Sequence, residues 1–98
     1  MKIVFEWDEA KAKANKAKHK VSFEEGKTIF NDPLLITWPD TDHSSGEERF
    51  INMGLSAAGR ILILTHTERR GKIRIISCRK ATPRERFYYE EDNSQETI

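Results

Sequence analysis

The 98-residue sequence contains one cysteine, three prolines, five glycines and no long apolar run. Because Cys78 has no partner in the chain, an intramolecular disulfide is impossible and the disulfide-stapled class of small secreted domains is excluded. No stretch approaches the roughly 20 apolar residues of a membrane-spanning helix. Glu6, Asp8 and Glu9 interrupt the N-terminal stretch where a signal peptide would need to be apolar. We therefore expect a cytoplasmic protein.

The sequence also lacks the motifs of common nucleotide and metal sites. It has no glycine-rich phosphate loop and no Cys/His spacing typical of zinc. Asp40, Asp42 and His43 come nearest to a metal site, but a solvated Asp-rich loop accounts for them more simply. We expect neither a metal ion nor a cofactor.

Size and composition predict one domain. Single domains commonly have about 100 to 150 residues, so residues 1–98 are expected to form one unit, with 92–98 as a frayed tail. Apolar residues make up 37% of the chain and charged residues 34%, which suits a small core under a densely charged surface.

Positive charge is concentrated in the second half of the chain. The net charge is only +1, but residues 60–88 contain nine Lys/Arg and two Asp/Glu, a local net charge of +7. Such a basic sector is typical of proteins that bind a polyanion. A solvated basic face neutralised by the acidic C-terminal tail is the alternative.

Local patterns predict an α+β fold. Residues 3–7 alternate like a strand, and Asp8 is a suitable N-cap for a helix from Glu9 to about Lys20. Ser22 begins a second helix that stops at 31–33, before a strand at 34–38. Three strands at about 48–55, 60–68 and 72–80 form an antiparallel meander, and a last helix runs from 82 to about 91.

The loop lengths of the meander predict a row of charged side chains. If residues 56–59 and 69–71 are the hairpin loops, Arg49 lies opposite His66, which lies opposite Arg74. Two arginines would favour neutral His66 and need a compensating anion, which is either a protein carboxylate such as Glu48, Glu68 or Glu85 or a ligand phosphate. A neutral imidazole beside phosphate-binding arginines is what metal-independent RNA cleavage requires. Alternatively, His66 is a half-buried strand histidine between ordinary surface arginines.

Several motifs together resemble the BrnT family of bacterial toxin ribonucleases, within the RelE-like superfamily. They are FEWD, KH followed by VSFEE, GEERF, HTER and RIISCRKAT with a later glutamate, and the resemblance extends from about Phe5 to Glu91. It implies a RelE-like fold with two N-terminal helices packed on an antiparallel meander and a C-terminal helix. It also implies cleavage of RNA without a metal ion, growth inhibition, and neutralisation by a BrnA-like ribbon-helix-helix antitoxin that joins the toxin in binding operator DNA.

The resemblance suggests roles for individual residues. Arg49, Arg74 and Arg79 would hold the scissile phosphate, with His66 as base and Glu68 as the second candidate. Strict alternation puts Arg79 on the opposite face from Arg74 unless the strand bulges, and its other expected role is a salt bridge to Glu85. We expect RNA contacts from four cations, Arg69, Lys72, Lys80 and Arg84. We expect antitoxin contacts from three aromatic residues, Phe87, Tyr88 and Tyr89.

A non-catalytic function also fits the charge pattern. The basic sector would then only dock nucleic acid or an acidic protein partner. Removing a catalytic group commonly lowers a rate by about 10² to 10⁴-fold, whereas removing a rim charge mainly changes salt-dependent affinity. Substitution therefore separates the two hypotheses.

Overall fold

The computed structural model describes residues 2–43 and 46–94, which form a five-stranded sheet with helices on both faces. The sheet order is β1-β5-β4-β3-β2. The strands are β1 Phe5–Glu6, β2 Ile36–Pro39, β3 Arg49–Leu55, β4 Ile61–Arg69 and β5 Lys72–Lys80; the helices are α1 Glu9–His19, α2 Phe23–Gly26 and α3 Pro83–Ser94. The predicted α+β fold is confirmed. Within the described ranges, no helix is long and apolar enough to cross a membrane.

Side-chain caps fix the two N-terminal helices. Asp8 accepts a hydrogen bond from the Lys11 amide at 3.1 Å, and α1 is followed by its C-cap residue Lys20, whose φ of 61° is left-handed. Ser22 accepts from the Glu25 amide at 3.0 Å and starts α2, which continues as a 3-10 turn, Lys27–Asn31. The predicted N-caps are therefore confirmed, although the second helix is shorter and tighter than a regular α-helix.

The main core lies between these helices and one face of the sheet, which we call the helix-side face. Its buried cluster comprises Val21, Phe23, Ile29, Leu62, Leu64, Ile75 and Cys78. Asn15 docks α1 onto the edge of β5: its amide donates to Cys78 O at 2.8 Å and accepts from Cys78 N at 3.0 Å. This side chain acts like a short piece of strand and satisfies backbone groups that would otherwise be unpaired at a buried edge.

The last helix covers part of the opposite face, which we call the α3-side face. The predicted capping box is present, because Thr82 Oγ1 accepts from Glu85 N at 3.1 Å and Glu85 Oε1 accepts from Thr82 N at 2.8 Å. Tyr89 packs against Met53 and Ile63 in a smaller core cluster. The helix continues to Ser94, so the tail expected to fray from residue 92 is helical in its first three residues. Its remaining residues lie outside the described part of the chain.

The strand register differs by one residue from the prediction. The second hairpin turns on two residues, Arg70 and Gly71, whose φ angles are 52° and 78°, so Arg69 pairs with Lys72. Positive φ at both positions matches the twist of a hairpin, and here an arginine adopts it. In the first hairpin Leu55 pairs with Ile61, because the loop has five residues.

Two further features of the sheet were not predicted from the sequence. The strand β1 pairs with β5 in parallel, with Glu6 beside Arg74, and forms a sheet edge. The strand β5 also contains an irregularity: Thr65 pairs with Ser77 while His66 pairs with Ile75, which leaves Ile76 unmatched. A bulge of this kind changes which side chains share a face beyond it.

Candidate active site

The predicted row of Arg49, His66 and Arg74 does not form. Arg49 and Arg74 both lie opposite Thr67, on the α3-side face, while His66 lies opposite Phe50 and Ile75 on the helix-side face. A one-residue change of register moves every side chain of a strand to the other face, which is the physical reason for the error.

His66 is packed as a core residue. Its side chain is 3% exposed, its ring stacks on Phe50 at 5.2 Å between centroids, and Phe30 meets it edge-on at 5.7 Å. Asn52 Nδ2 donates to His66 Nδ1 at 2.7 Å, so the ring proton belongs on Nε2. Desolvation by burial lowers the pKa of His66, against a weaker opposite effect of Glu68. These contacts support the structural alternative for His66.

Glu68, the second predicted base, shares the helix-side face with His66. Its carboxylate is 63% exposed, and Oε2 lies 3.6 Å from His66 Nε2, beyond hydrogen-bond distance. Neither predicted base therefore lies on the face that carries Arg49 and Arg74.

Arg79 joins the α3-side face because of the bulge at Ile76. The bulge places Ser77 and then Arg79 on the same face as Arg74, as the sequence analysis required for Arg79 to act with it. The predicted salt bridge is also present: Arg79 Nη1 and Nη2 donate to the two Glu85 carboxylate oxygens at 2.7 and 3.0 Å. Hydrogen bonds from Arg79 are the main reason that the pKa of Glu85 falls to about 2. Glu85 is thus an anion that positions Arg79 and not a proton acceptor near neutral pH.

A cleft of about 300 Å³ opens beside this ion pair. Its polar lining comes from strands β4 and β5 and from helices α1 and α3, and includes His19, Thr65, Ser77, Arg79 and Glu85. Thr65 and Ser77 are directly paired across β4 and β5, so both hydroxyl groups stand side by side on the α3-side face. The cleft therefore combines a guanidinium, an imidazole and two hydroxyl groups.

His19 also lines the cleft, although no role was predicted for it. It is the last residue of α1, one helical turn after Asn15, whose hydrogen bonds to Cys78 fix that turn beside the edge of β5. The available signal was the KH pair in the motifs that resemble the BrnT family. Thr65 and Ser77 were also missed, because only the true register and the bulge bring them together.

Cys78 also borders the cleft, but its thiol is a packing group. The side chain is buried, and desolvation raises the pKa of the thiol to about 12. A thiol that stays protonated at neutral pH is a poor nucleophile, which agrees with the packing role expected from its position within a strand.

Carboxylates, most of them from outside residues 60–88, pair with arginines of the basic sector. Four of its arginines form salt bridges at or below 3.3 Å, in the pairs Arg60–Glu25, Arg69–Glu47, Arg74–Glu6 and Arg79–Glu85. Three of these carboxylates precede the sector in sequence. Neutralisation by the acidic tail, the expected alternative, is thus not what these four pairs show.

The four cations predicted to contact RNA do not form one patch. Arg69 and Lys72 lie at the tight turn between β4 and β5, where they border a depression of about 270 Å³ together with Glu6 and Arg70. Lys80 lies at the far end of β5, and Arg84 lies on α3. A ligand would need to extend along β5 to contact them all.

The three predicted partner-binding aromatics have different environments. Phe87 and Tyr88 are 63% and 62% exposed. Tyr89 is buried, and its hydroxyl donates to Asp32 Oδ2. The prediction of three surface anchors is therefore wrong for Tyr89, which holds α3 against the sheet, because successive helical residues point in directions about 100° apart.

The acidic loop after β2 shows a local contact. His43 Nδ1 lies 3.1 Å from Asp40 Oδ2. Over residues 2–43 and 46–94, no group of three or more His, Cys, Asp or Glu side chains is arranged to hold a metal ion.

A family model and a solved structure both match this chain. The family model described as "Ribonuclease toxin, BrnT, of type II toxin-antitoxin system" matches residues 7–85. Among solved structures, the chain is similar to the ribonuclease toxin BrnT of Brucella abortus, with a TM-score of 0.62 and 25% sequence identity. That match covers 84% of this chain and 97% of the Brucella chain. A search among proteins with curated functions returned no significant match.

Proposed function

Because the chain belongs to the BrnT family of ribonuclease toxins of type II toxin-antitoxin systems, we propose that it cleaves RNA without a metal ion at the cleft beside α3. The observation that carries this proposal is the position of Arg79. The bidentate pair with Glu85 holds its guanidinium at a cleft that His19, Thr65 and Ser77 also line.

Each group at the cleft has a role in attack by the RNA 2′-hydroxyl. Arg79 binds the scissile phosphate and stabilises the negative charge that builds on its oxygens. The Thr65 and Ser77 hydroxyls donate hydrogen bonds to the same oxygens. His19 accepts the 2′-hydroxyl proton, the 2′-oxygen attacks phosphorus, and the 5′-oxygen leaves and takes a proton from solvent. The expected product is a 2′,3′-cyclic phosphate.

Arg49 and Arg74 have a supporting role in this scheme. They share the α3-side face and lie opposite Thr67, several residues along the strands from Arg79. At about 3.3 Å per residue, the five residue steps from Arg74 to Arg79 span roughly 15 Å, so Arg74 and Arg79 contact different phosphates of an extended strand. His66 and Glu68 are not included in the mechanism because they lie on the helix-side face.

The family also defines the partners in general terms, an RNA substrate and an antitoxin. We propose that the antitoxin is a ribbon-helix-helix protein and that the complex binds operator DNA. Exposed Phe87 and Tyr88 on α3 support antitoxin contacts there, because exposed aromatic side chains are frequent anchors of protein interfaces.

The test is incubation of the purified protein with RNA in EDTA, with chemical identification of the new termini. Fragments ending in 2′,3′-cyclic phosphate or 3′-phosphate, at the same rate with and without chelator, are expected. A requirement for added Mg²⁺, or fragments ending in 3′-hydroxyl, would refute the proposed chemistry.

A further inference from the structure

A second concave surface adjoins the cleft. This groove has a volume of about 480 Å³ and lies between the first two turns of α3 and strands β2, β3 and β4. Its lining is largely apolar and consists of Ile36, Trp38, Met53, Ile63, Arg84, Glu85 and Tyr88. Three of these residues, Trp38, Ile63 and Glu85, also line the cleft, so the groove and the cleft are continuous.

Aromatic side chains stand at both sides of the groove. Trp38 projects from the edge strand β2 and is 37% exposed. Tyr88 projects from α3 and is 62% exposed, and Arg84 lies one helical turn before it. The floor between them is formed by Ile36, Met53 and Ile63. Met53 and Ile63 are themselves buried, so the exposed apolar surface comes mainly from Trp38 and Tyr88. Exposed aromatic side chains around a concave apolar surface, beside a polar cleft, indicate a binding surface.

We propose that the groove binds a nucleobase of the RNA substrate, next to the phosphate at Arg79. The proposal rests on the proposed function, because it takes Arg79 as the phosphate site. A nucleotide joins its phosphate to its base through one sugar, so a phosphate bound at Arg79 requires space for a base close by. The groove shares its Glu85 wall with the cleft and supplies that space.

The chemistry of the groove suits a base. The ring of Trp38 or Tyr88 provides a flat surface on which a base can stack, and the aliphatic floor excludes water from its face. Arg84 provides a cation for stacking or for hydrogen bonds to the base edge. The carboxylate of Glu85 is occupied by Arg79 and by the Thr82 amide, so it leaves recognition to Arg84 and the aromatic rings.

A double-mutant cycle between protein and RNA tests the proposal. The ligands are 2′-O-methyl oligonucleotides, which resist cleavage, with a single abasic site moved along the sequence. The variants are Trp38→Ala and Trp38→Leu. Leu34→Ala is the control, because Leu34 is an exposed apolar residue that lines neither the groove nor the cleft. Circular dichroism and thermal unfolding establish that each variant is folded, and Trp38→Leu retains apolar bulk in case Trp38→Ala does not fold.

The expected result is a position-specific loss. Both Trp38 variants should weaken binding of the intact oligonucleotide by about 5 to 100-fold, since base stacking on an aromatic residue contributes that much. When the abasic site falls at one position next to the cleavage point, the Trp38 variants should bind that oligonucleotide as tightly as the wild type does. The Leu34→Ala variant should bind RNA like the wild type.

Other outcomes overturn the proposal in distinguishable ways. Equal losses for intact and abasic ligands would show that Trp38 does not contact a base. Unchanged RNA binding together with weaker antitoxin binding would make the groove a protein-docking site. In both cases, cleavage that still depends on Arg79 would leave the proposed function in place. A wild-type protein that neither binds nor cleaves RNA would refute both proposals.

Discussion

Arg79 is the residue on which the site depends. Its guanidinium forms two hydrogen bonds to Glu85 and still borders the cleft, so the pair orients a cation toward the cleft. A bidentate pair is more rigid than an unpaired arginine, and this rigidity lowers the entropy lost when a phosphate binds. The same pair attaches β5 to the first turn of α3, which links the site to the stability of the last helix.

This ion pair predicts a specific pH dependence of stability. The folded-state pKa of Glu85, about 2, is below its usual value of 4.5. The stabilisation is therefore complete above about pH 4.5 and is lost as the pH falls toward 2. Because the pair is partly exposed, Glu85→Gln should lower the free energy of unfolding near neutral pH by only about 1 kcal/mol.

Chemical denaturation from pH 7 to pH 2 measures the effect as the difference between wild type and Glu85→Gln. The difference in the free energy of unfolding should decrease as the pH falls from about 4.5 toward 2. The control is Glu90→Gln, an exposed glutamate on the same helix, which should track the wild type. A constant difference at all pH values would contradict the role assigned to the ion pair.

At the scale of elements, the residue that follows α1 has a strained backbone. Lys20 has a φ of 61°, a left-handed conformation that costs an L-residue about 1 kcal/mol or more relative to glycine. The strain is tolerated because the chain is held before Lys20, where Asn15 bonds to β5, and at Lys20, whose carbonyl accepts from the Arg60 guanidinium at 3.3 Å.

Replacing this residue with glycine should stabilise the protein. Lys20→Gly is expected to raise the free energy of unfolding by about 0.5 to 1 kcal/mol, as measured by urea denaturation. Lys13→Gly, at an exposed position in the middle of the same helix, should instead lower it by about 1 kcal/mol. Destabilisation by both substitutions would show that the terminus of α1 carries no such strain.

Some of these elements could be predicted from the sequence, and the strand register could not. Thr82, Pro83 and Glu85 predict the start of α3 because a capping box acts through neighbouring residues. The meander follows from alternation and from the glycines at 59 and 71. The register could not be predicted, since it depends on Arg70 adopting a positive φ that a sequence normally signals with Gly, Asn or Asp.

The candidate site was predicted only in part, for the same reason. Arg79 and its bridge to Glu85 were predicted, whereas the predicted position of His66 was wrong and the position of His19 at the cleft was not predicted. The bulge at Ile76 and the docking of Asn15 join residues that are distant in sequence. Neither leaves a local pattern from which the shared cleft could be derived.

At the scale of the whole molecule, charge is distributed around the sheet. Salt bridges to Glu6, Glu25, Glu47 and Glu85 neutralise four arginines of the basic sector. Lys72 and Lys80 remain exposed at the two ends of β5. These lysines are available to attract RNA or an acidic region of the antitoxin.

Charge reversal should therefore slow antitoxin association. The double variant Lys72→Glu/Lys80→Glu is expected to reduce the association rate constant by about 10-fold at low salt, with a smaller effect at high salt. The matched control is Lys11→Glu/Lys13→Glu, the same change of charge on exposed positions of α1. If the control slows association as much as the test variant, net charge and not the location of these lysines determines the rate.

The central claim is that cleavage takes place on the α3-side face, and single-turnover cleavage of a defined RNA by two folded variants tests it most directly. Arg79→Lys keeps the charge but loses the paired hydrogen bonds, and should lower the rate constant by about 10²-fold or more. His66→Gln alters the helix-side face and should leave the rate constant within about threefold of the wild type. A large loss in His66→Gln with an unchanged rate in Arg79→Lys would contradict the account, and unchanged rates in both would favour a non-catalytic role for this face.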